Sequence, residues 1–366
     1  MKIAVACGGT GGHIFPGLAT ADVLRQRGHE IRLWLAGKDV ESPAVKDWAG
    51  PVVTVQAEGL PSGFSLRMIR AAWKLLRAAL SCRKIMRDVR PDVLLAMGSY
   101  ASAGPVFAAL SLKVPVVLHE ANVLPGRAIA LFSRWATAVA GSFEETRFYL
   151  RRKDLVVTGM PIRKDLEKAA KTAPPHEPGR DLFTVLVMGG SRGAHRLNDL
   201  ASSAIVQIHK AGHRIRVIHL TGTVDEAAIR KNYQDAGVAA SVSAFEQDMA
   251  PIYTSTDLAI CRSGASTCAE LSDFAVPALQ IPYPDATNDH QTVNARAMEK
   301  SGAVDVVPER DLSLSWLVDY IVGCMQTPGR LARMSAATRS RAMQSAAESL
   351  ASLVVKVGSG EYGLSV

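Results

Sequence analysis

The chain has 366 residues, 48% of them apolar and 21% charged, with a net charge of +8. This length exceeds what one hydrophobic core usually supports, so two domains are expected, and the composition excludes a disordered, collagenous or disulfide-dense protein. The five cysteines are scattered without Cys-x-x-Cys spacing, which reads as reduced thiols, and no apolar window reaches the ~18 residues of a membrane span.

In chain order, KIAVAC (residues 2–7) reads as a buried strand with no charged, apolar secretion leader around it. GGTGGHIFPG (8–17) comes directly after it, then PGLATADVLRQRG (16–28), a helix ending at Gly28, and IRLWLAG (31–37), a second strand. From Gly59 to Arg87 there are seven basic residues and no acid. At about 100° per residue, Arg67, Arg70, Lys74, Arg77 and Lys84 share one arc of a helix, with Trp73, Leu76, Ala79, Leu80 and Met86 among those opposite. Such a face suits either plain solvent or an anionic lipid surface. Nucleic acid is not expected, because interleaved aromatics are scarce.

DVLLAMG (92–98) and VPVVLHE (114–120) are further buried strands. Strand–helix alternation with near-continuous apolar strands implies an α/β fold with a parallel sheet covered on both faces. The charged, proline-bearing run KDLEKAAKTAPPHEPGRD (164–181) has no apolar periodicity and reads as a boundary, giving domains of 1–163 and 164–340. Alternation then restarts with FTVLVMGG, RIRVIHLTG, LAICRSG and PALQIPYP as strands. AVACGGTGGH and VLVMGGSRGAH share a strand, two glycines, a hydroxyl residue, a further glycine and a histidine. This echo implies two similar doubly wound domains.

The polar residues collect where strands end, which is where open α/β folds place ligands. GGTGGH fits neither G-x-G-x-x-G nor the P-loop pattern, and Asp39 after the second strand offers only thin support for a nicotinamide ribose. His13, at a strand-to-helix turn, is either a general base or an exposed helix-start histidine. His119, Glu120 and Asn122 end another strand, Asn122 also suiting a helix cap, and Gly98-Ser99-Tyr100 ends a third. In the second half, Ser191 and the amides near Gly190 stand at a helix start. Glu270 follows Gly264, Ser266 and Thr267; it could accept both hydroxyls of a ribose or simply suit the helix dipole. Gln291 in NDHQTVNA offers an amide for a pyrimidine or a sugar. There is no D-x-D pair and no metal-ligand spacing, so neither a protein-bound metal nor a cofactor is expected. Arg163, at the end of the first half, is either a cation for a leaving diphosphate or a solvent-facing linker arginine.

Taken together, GGTGGHIFPG, MGSYASAGP, LHEAN, GMPIR, GGSRGAHRLN, CRSGASTCAE and NDHQTVNA occur in an order that resembles the MurG family, over nearly the whole chain. These are the N-acetylglucosaminyltransferases that convert lipid I to lipid II in peptidoglycan synthesis. The resemblance implies a glycosyltransferase-B fold: two Rossmann-like domains facing a cleft, with the C-terminal segment 341–366 packing back on the first. It implies UDP-GlcNAc on the second domain, with Arg163, Gly190 and Ser191 at the diphosphate and Glu270 at the ribose. Ala265, Ser266, Thr267, Cys268 and Ala269 would line the nucleotide site, the chain from Phe245 to Glu246 would read uracil, and Gln291 would bind the sugar. Thr10, Gly11, Gly12 and Asn122 would close on the donor; His13, His119, Glu120 and Tyr100 would face the acceptor. Four positions depart from the family's usual pattern: Ala121, Met160, Arg192 and His290.

The implied reaction is inverting transfer to the 4-hydroxyl of undecaprenyl-diphospho-MurNAc-pentapeptide, with His13 preferred over Glu120 and His119 as base. A lipid-linked acceptor implies a peripheral enzyme on the cytoplasmic face of the membrane, touching it through Arg70, Lys74 and Arg77, with protein partners in wall synthesis left open. A UDP-sugar epimerase and an NAD(P)-binding Rossmann protein are the competing expectations.

Overall fold

The computed structural model describes residues 1–55, 66–152, 154–174, 182–190 and 194–363, with backbone alone for Pro43 and 66–76. The chain divides into two compact units: Met1–Lys164 together with Gln344–Val366, and Asp165–Met343.

In the first unit the elements are β1 (Lys2–Ala6), α1 (Gly11–Gln26), β2 (Glu30–Ala36), β3 (Val52–Val55), α2 (Leu66–Val89) and β4 (Val93–Ala96). They continue with α3 (Ala103–Ser111), β5 (Val116–Glu120), α4 (Arg127–Phe132), β6 (Ala138–Gly141) and β7 (Leu155–Val157). Among the described residues these strands form one sheet in the order β3-β2-β1-β4-β5-β6-β7, and its pairs are parallel. β4, β5 and β6 are buried at every position, so helices must cover both faces. Ile14, Ala21 and Leu24 of α1 seal one face, and Cys82 and Met86 of α2 with Val106 and Ala109 of α3 seal the other.

Two boundaries differ from the sequence expectation. α1 starts at Gly11, and Pro16 lies inside it. Proline forfeits one helical N–H, yet the burial of Ile14 against the β1 core favours the earlier start. The segment 164–172, expected as linker, is the helix α5 (Lys164–Thr172). Leu166 and Ala170 are buried four residues apart, and Glu167 pairs with Lys171 at 2.7 Å on the outer face. Residues 175–181 lie outside the described residues.

The second unit continues with β8 (Phe183–Met188), α6 (His195–Lys210), β9 (Ile215–Leu220), α7 (Glu226–Asp235), β10 (Ala239–Ser243) and α8 (Ala250–Ser255). Next come β11 (Leu258–Cys261), α9 (Ala265–Asp273), β12 (Ala278–Gln280), α10 (His290–Lys300), β13 (Val304–Val306), α11 (Leu314–Gln326) and α12 (Pro328–Ser340). Its parallel sheet runs β10-β9-β8-β11-β12-β13 among the described residues. Both sheets therefore start in the middle, wind to one edge and then return to the other. The winding reverses between β1 and β4 and between β8 and β11, so each unit has a switch point outside its strand carboxyl ends. The last helix, α13 (Ala346–Gly358), belongs to the first unit, packing on α1, β4 and β5.

Candidate active site

The turn after β1 is held from two sides. Gly8 and Gly9 are buried, and Gly9 has φ +122°. A Cβ on Gly8 would lie 2.8 Å from Asp39 Oδ2, and one on Gly9 would lie 2.9 Å from Ser99 Cβ. Only glycine admits the two side chains that clamp the turn. The Gly9 N–H donates to Asp39 Oδ2 at 2.6 Å, and Ser99 Oγ donates to the Gly8 carbonyl at 2.5 Å. Asp39 is thus a turn anchor, which corrects its reading as a ribose acid.

Thr10 precedes α1 in extended conformation, but its hydroxyl meets His13 Nδ1 at 2.9 Å instead of capping an amide. The imidazole is half-buried beside Gly98, whose would-be Cβ is 3.6 Å from Nε2. Burial lowers the His13 pKa to about 4, against the raising effect of Asp39. The ring is therefore neutral at pH 7; in the tautomer whose Nδ1–H donates to Thr10, Nε2 holds the lone pair. Thr10, Gly11 and Gly12 are exposed around it. Tyr100 is half-buried, with the Lys38 ammonium 5.6 Å from its ring centre.

At the end of β5, His119 is fully buried and its Nε2–H donates to the Gly159 carbonyl at 2.9 Å. Burial lowers its pKa to about 4. Glu120 is 5% exposed. Its Oε1 accepts from the Asn122 N–H at 2.9 Å and its Oε2 from the Gly126 N–H at 2.8 Å, so the carboxyl closes the loop between them. Burial raises its pKa to about 7 against these bonds. Asn122 Nδ2 also turns towards Glu120, at 3.4 Å. His119 and Glu120 are thus buried and bonded to backbone groups, whereas His13 is half-buried beside the exposed Thr10, Gly11 and Gly12. Arg163 is half-buried at the end of this unit.

In the second unit the sites follow β8, β11 and β12. Gly190 is exposed with φ +85°, while Ser191 and Arg192 lie outside the described residues. α9 opens after Gly264, so no side chain caps its first amides, and Ser266, Thr267, Ala269 and Glu270 are half-buried around them. Ala265 is 9% exposed and Cys268 only 2%; the Cys268 sulfur accepts from Gln280 Nε2 at 3.4 Å. Cys268 faces the core, a correction to its expected place in a nucleotide lining. Glu270 Oε2 accepts from the Tyr253 hydroxyl at 2.6 Å, a partner that sequence reading missed.

Gln291 Oε1 accepts from the N–H groups of Ser263 and Tyr283, at 3.3 and 3.0 Å. Two backbone donors on that oxygen fix the amide's orientation, so its NH₂ is the end left to offer a ligand. Glu246 Oε1 accepts from the Gln247 and Asp248 N–H groups, shaping the loop after exposed Phe245. His290 bonds the Thr287 carbonyl through Nδ1 at 2.8 Å. Among the described residues no cluster of three His, Cys, Asp or Glu side chains is placed to hold a metal.

α2 carries the basic run, but the Arg70 and Lys74 side chains lie outside the described residues. Arg77 is exposed, whereas Ala78, Ala79, Cys82 and Met86 are buried. Leu80, expected on the covered face, is 53% exposed, at the border of the packed stripe. At and just beyond the end of α4, Leu131 and Trp135 are about half exposed, with the Arg134 guanidinium 3.6 Å from the Trp135 ring centre. Among the described residues no helix is long and apolar enough to cross a membrane.

Residues 3–141 match the glycosyltransferase family 28 N-terminal domain and residues 184–350 its C-terminal domain. A curated relative from Geobacter sulfurreducens is 35% identical, over 96% of this chain and 97% of its own. One from Syntrophotalea carbinolica is 37% identical over 95% and 96%. Both are named UDP-N-acetylglucosamine–N-acetylmuramyl-(pentapeptide) pyrophosphoryl-undecaprenol N-acetylglucosamine transferase. The chain belongs to glycosyltransferase family 28, in its MurG branch. The crystal structure of Acinetobacter baumannii MurG superposes with a TM-score of 0.80 at 27% identity, covering 97% of this chain and all of that one. A UDP-GlcNAc 2-epimerase from Neisseria meningitidis shares the fold, with a TM-score of 0.66 at 15% identity. The MurG family's two-domain α/β architecture is the one found here.

Proposed function

We propose that this chain transfers N-acetylglucosamine from UDP-GlcNAc to the muramoyl 4-hydroxyl of an undecaprenyl-diphosphate-linked acceptor, with inversion. The supporting observation is the relationship along almost the full chain to transferases named for that donor and acceptor, joined to a neutral histidine at the β1–α1 turn. His13 Nε2 takes the hydroxyl proton as the oxygen bonds to the anomeric carbon, and the bond to UDP breaks on the opposite face. The amides opening α9 and that of Gly190, in the second unit, stabilise the diphosphate as its charge grows, and the family resemblance adds Ser191 and Arg163 to this role. Glu270 accepts from the ribose, and the Gln291 NH₂ donates to the sugar. Thr10 orients the imidazole, while His119 and Glu120 hold the walls behind it.

The acceptor's lipid brings the enzyme to the cytoplasmic membrane surface. Arg77, with Arg70 and Lys74 of the same helix, supplies positive charge to anionic headgroups, and Leu131, Trp135 and Arg134 add an amphipathic contact.

Incubating the protein with labelled UDP-GlcNAc, with and without a lipid I analogue, tests this reading. Label should enter the lipid fraction as a β-linked disaccharide only when the analogue is present. Release of a different hexosamine without acceptor would assign an epimerase instead.

A further inference from the structure

Asp39, described above only as the anchor of a turn, is 6% exposed and bonds the turn that carries His13. We propose that Asp39 is a positioning residue for the transfer: its carboxylate fixes the Gly9 amide and so the Thr10–His13 turn, and its charge stabilises the imidazolium formed when His13 takes the acceptor's proton. This rests on the reading of His13 as base.

Three observations carry it. The carboxylate reaches the turn from beyond β2, and the bond to Gly9, at 2.6 Å, has the short length of a charge-assisted contact. The same turn is gripped from the β4 end by Ser99, whose Oγ also accepts from Ala101 N–H at 3.1 Å, so it is fixed from two strands. The charge of Asp39 also acts directly on His13, favouring its protonated form. The ionisable groups facing the imidazole are Asp39 from the β2 side and His119 from β5, which burial keeps neutral at pH 7. Lys38 adjoins Asp39 but leans over Tyr100. A ring that burial keeps neutral needs a nearby anion when it accepts a proton, and Asp39 is that anion.

The test compares wild type with Asp39→Asn, Asp39→Ala, Ser99→Ala and His13→Ala, reading turnover against pH and the imidazole NMR titration of His13. Asparagine keeps a carbonyl for the Gly9 amide and removes only the charge. Asp39→Asn should lower kcat about tenfold at neutral pH with donor KM within about twofold, and move both the imidazole titration and the acid limb of kcat to lower pH. Asp39→Ala should cost more, because the buried Gly9 N–H also loses its acceptor. Ser99→Ala should lower kcat without moving the titration. An unmoved titration in Asp39→Asn overturns the proposal, as does an equal shift in Ser99→Ala, which would make the shift a matter of loop geometry. If His13→Ala keeps its turnover while the titration shifts in Asp39→Asn, the base assignment fails and the contact between Asp39 and the ring stands.

Discussion

After β1, the chain is gripped by side chains from two other strands, Asp39 on the Gly9 amide and Ser99 on the Gly8 carbonyl, and the turn presents an imidazole. After β11, the grip comes from Gln291 and Asn294 of α10 on Ser263, and the chain presents an uncapped helix start with Glu270 in its second turn. The two units share one winding, so the contrast lies in how each strand end is equipped. A turn locked by buried polar groups suits a group that must meet a reacting atom at fixed geometry. A helix start with open amides suits an anion held by many weak donors. Under the proposed function, the same fold supports chemistry in one half and donor binding in the other.

The contrast can be broken most sharply at His13. His13→Ala should lower kcat by roughly 10²–10⁴-fold with donor KM little changed, measured with a lipid I analogue. A large change in donor KM instead would move His13 to the binding side.

Next in size is the buried pair behind the turn. The folded-state pKa of His119 is depressed, to about 4 from 6.5, so the stability it contributes is complete above pH 6.5 and is lost as pH falls through about 4. His119→Gln keeps a donor for the Gly159 carbonyl and removes the titration. Urea unfolding between pH 6.5 and 4.5 should then lose about 1.4 kcal/mol per pH unit of slope relative to wild type. Equal slopes would mean that His119 does not hold the neutral form.

On the donor side, Tyr253→Phe should raise the UDP-GlcNAc KM about fivefold with kcat nearly constant, because one hydrogen bond that sets Glu270 is gone. A fall in kcat alone would erase the distinction between the two strand ends. The smallest effect belongs to the lipid contact. Arg77→Gln, or Arg134→Gln, should weaken binding to anionic vesicles by less than about 1 kcal/mol at low salt, and by less still as salt rises. Unchanged sedimentation in both variants would remove these residues from the membrane contact.

Much of the fold was legible because its signals are local. Strands such as VLLA and FTVLVM are apolar throughout, and a glycine turn at the end of each opening strand announces the repeat. At the start of α1, Pro16 is a strong local signal that the burial of Ile14 overrides. α5 is faint in the sequence because two apolar positions among charges carry little periodicity. The site residues at strand ends were legible as chemistry, yet their division of labour was not. Asp39 and Ser99 act across 30 and 91 residues of sequence, and nothing near them names Gly9 or Gly8 as the partner. Cys268 was drawn into the nucleotide lining by its neighbours, although its place on α9 turns it to the core.

The placement of α13 has a consequence for synthesis. Leu350, Ala351 and Val354 are fully buried in the same cluster as Ile3 and Val5 of β1. The first unit therefore cannot complete its core until residues near Gly358 have left the ribosome, whereas the second unit is contiguous and closes earlier. Although it is translated first, the half bearing His13 completes its core last.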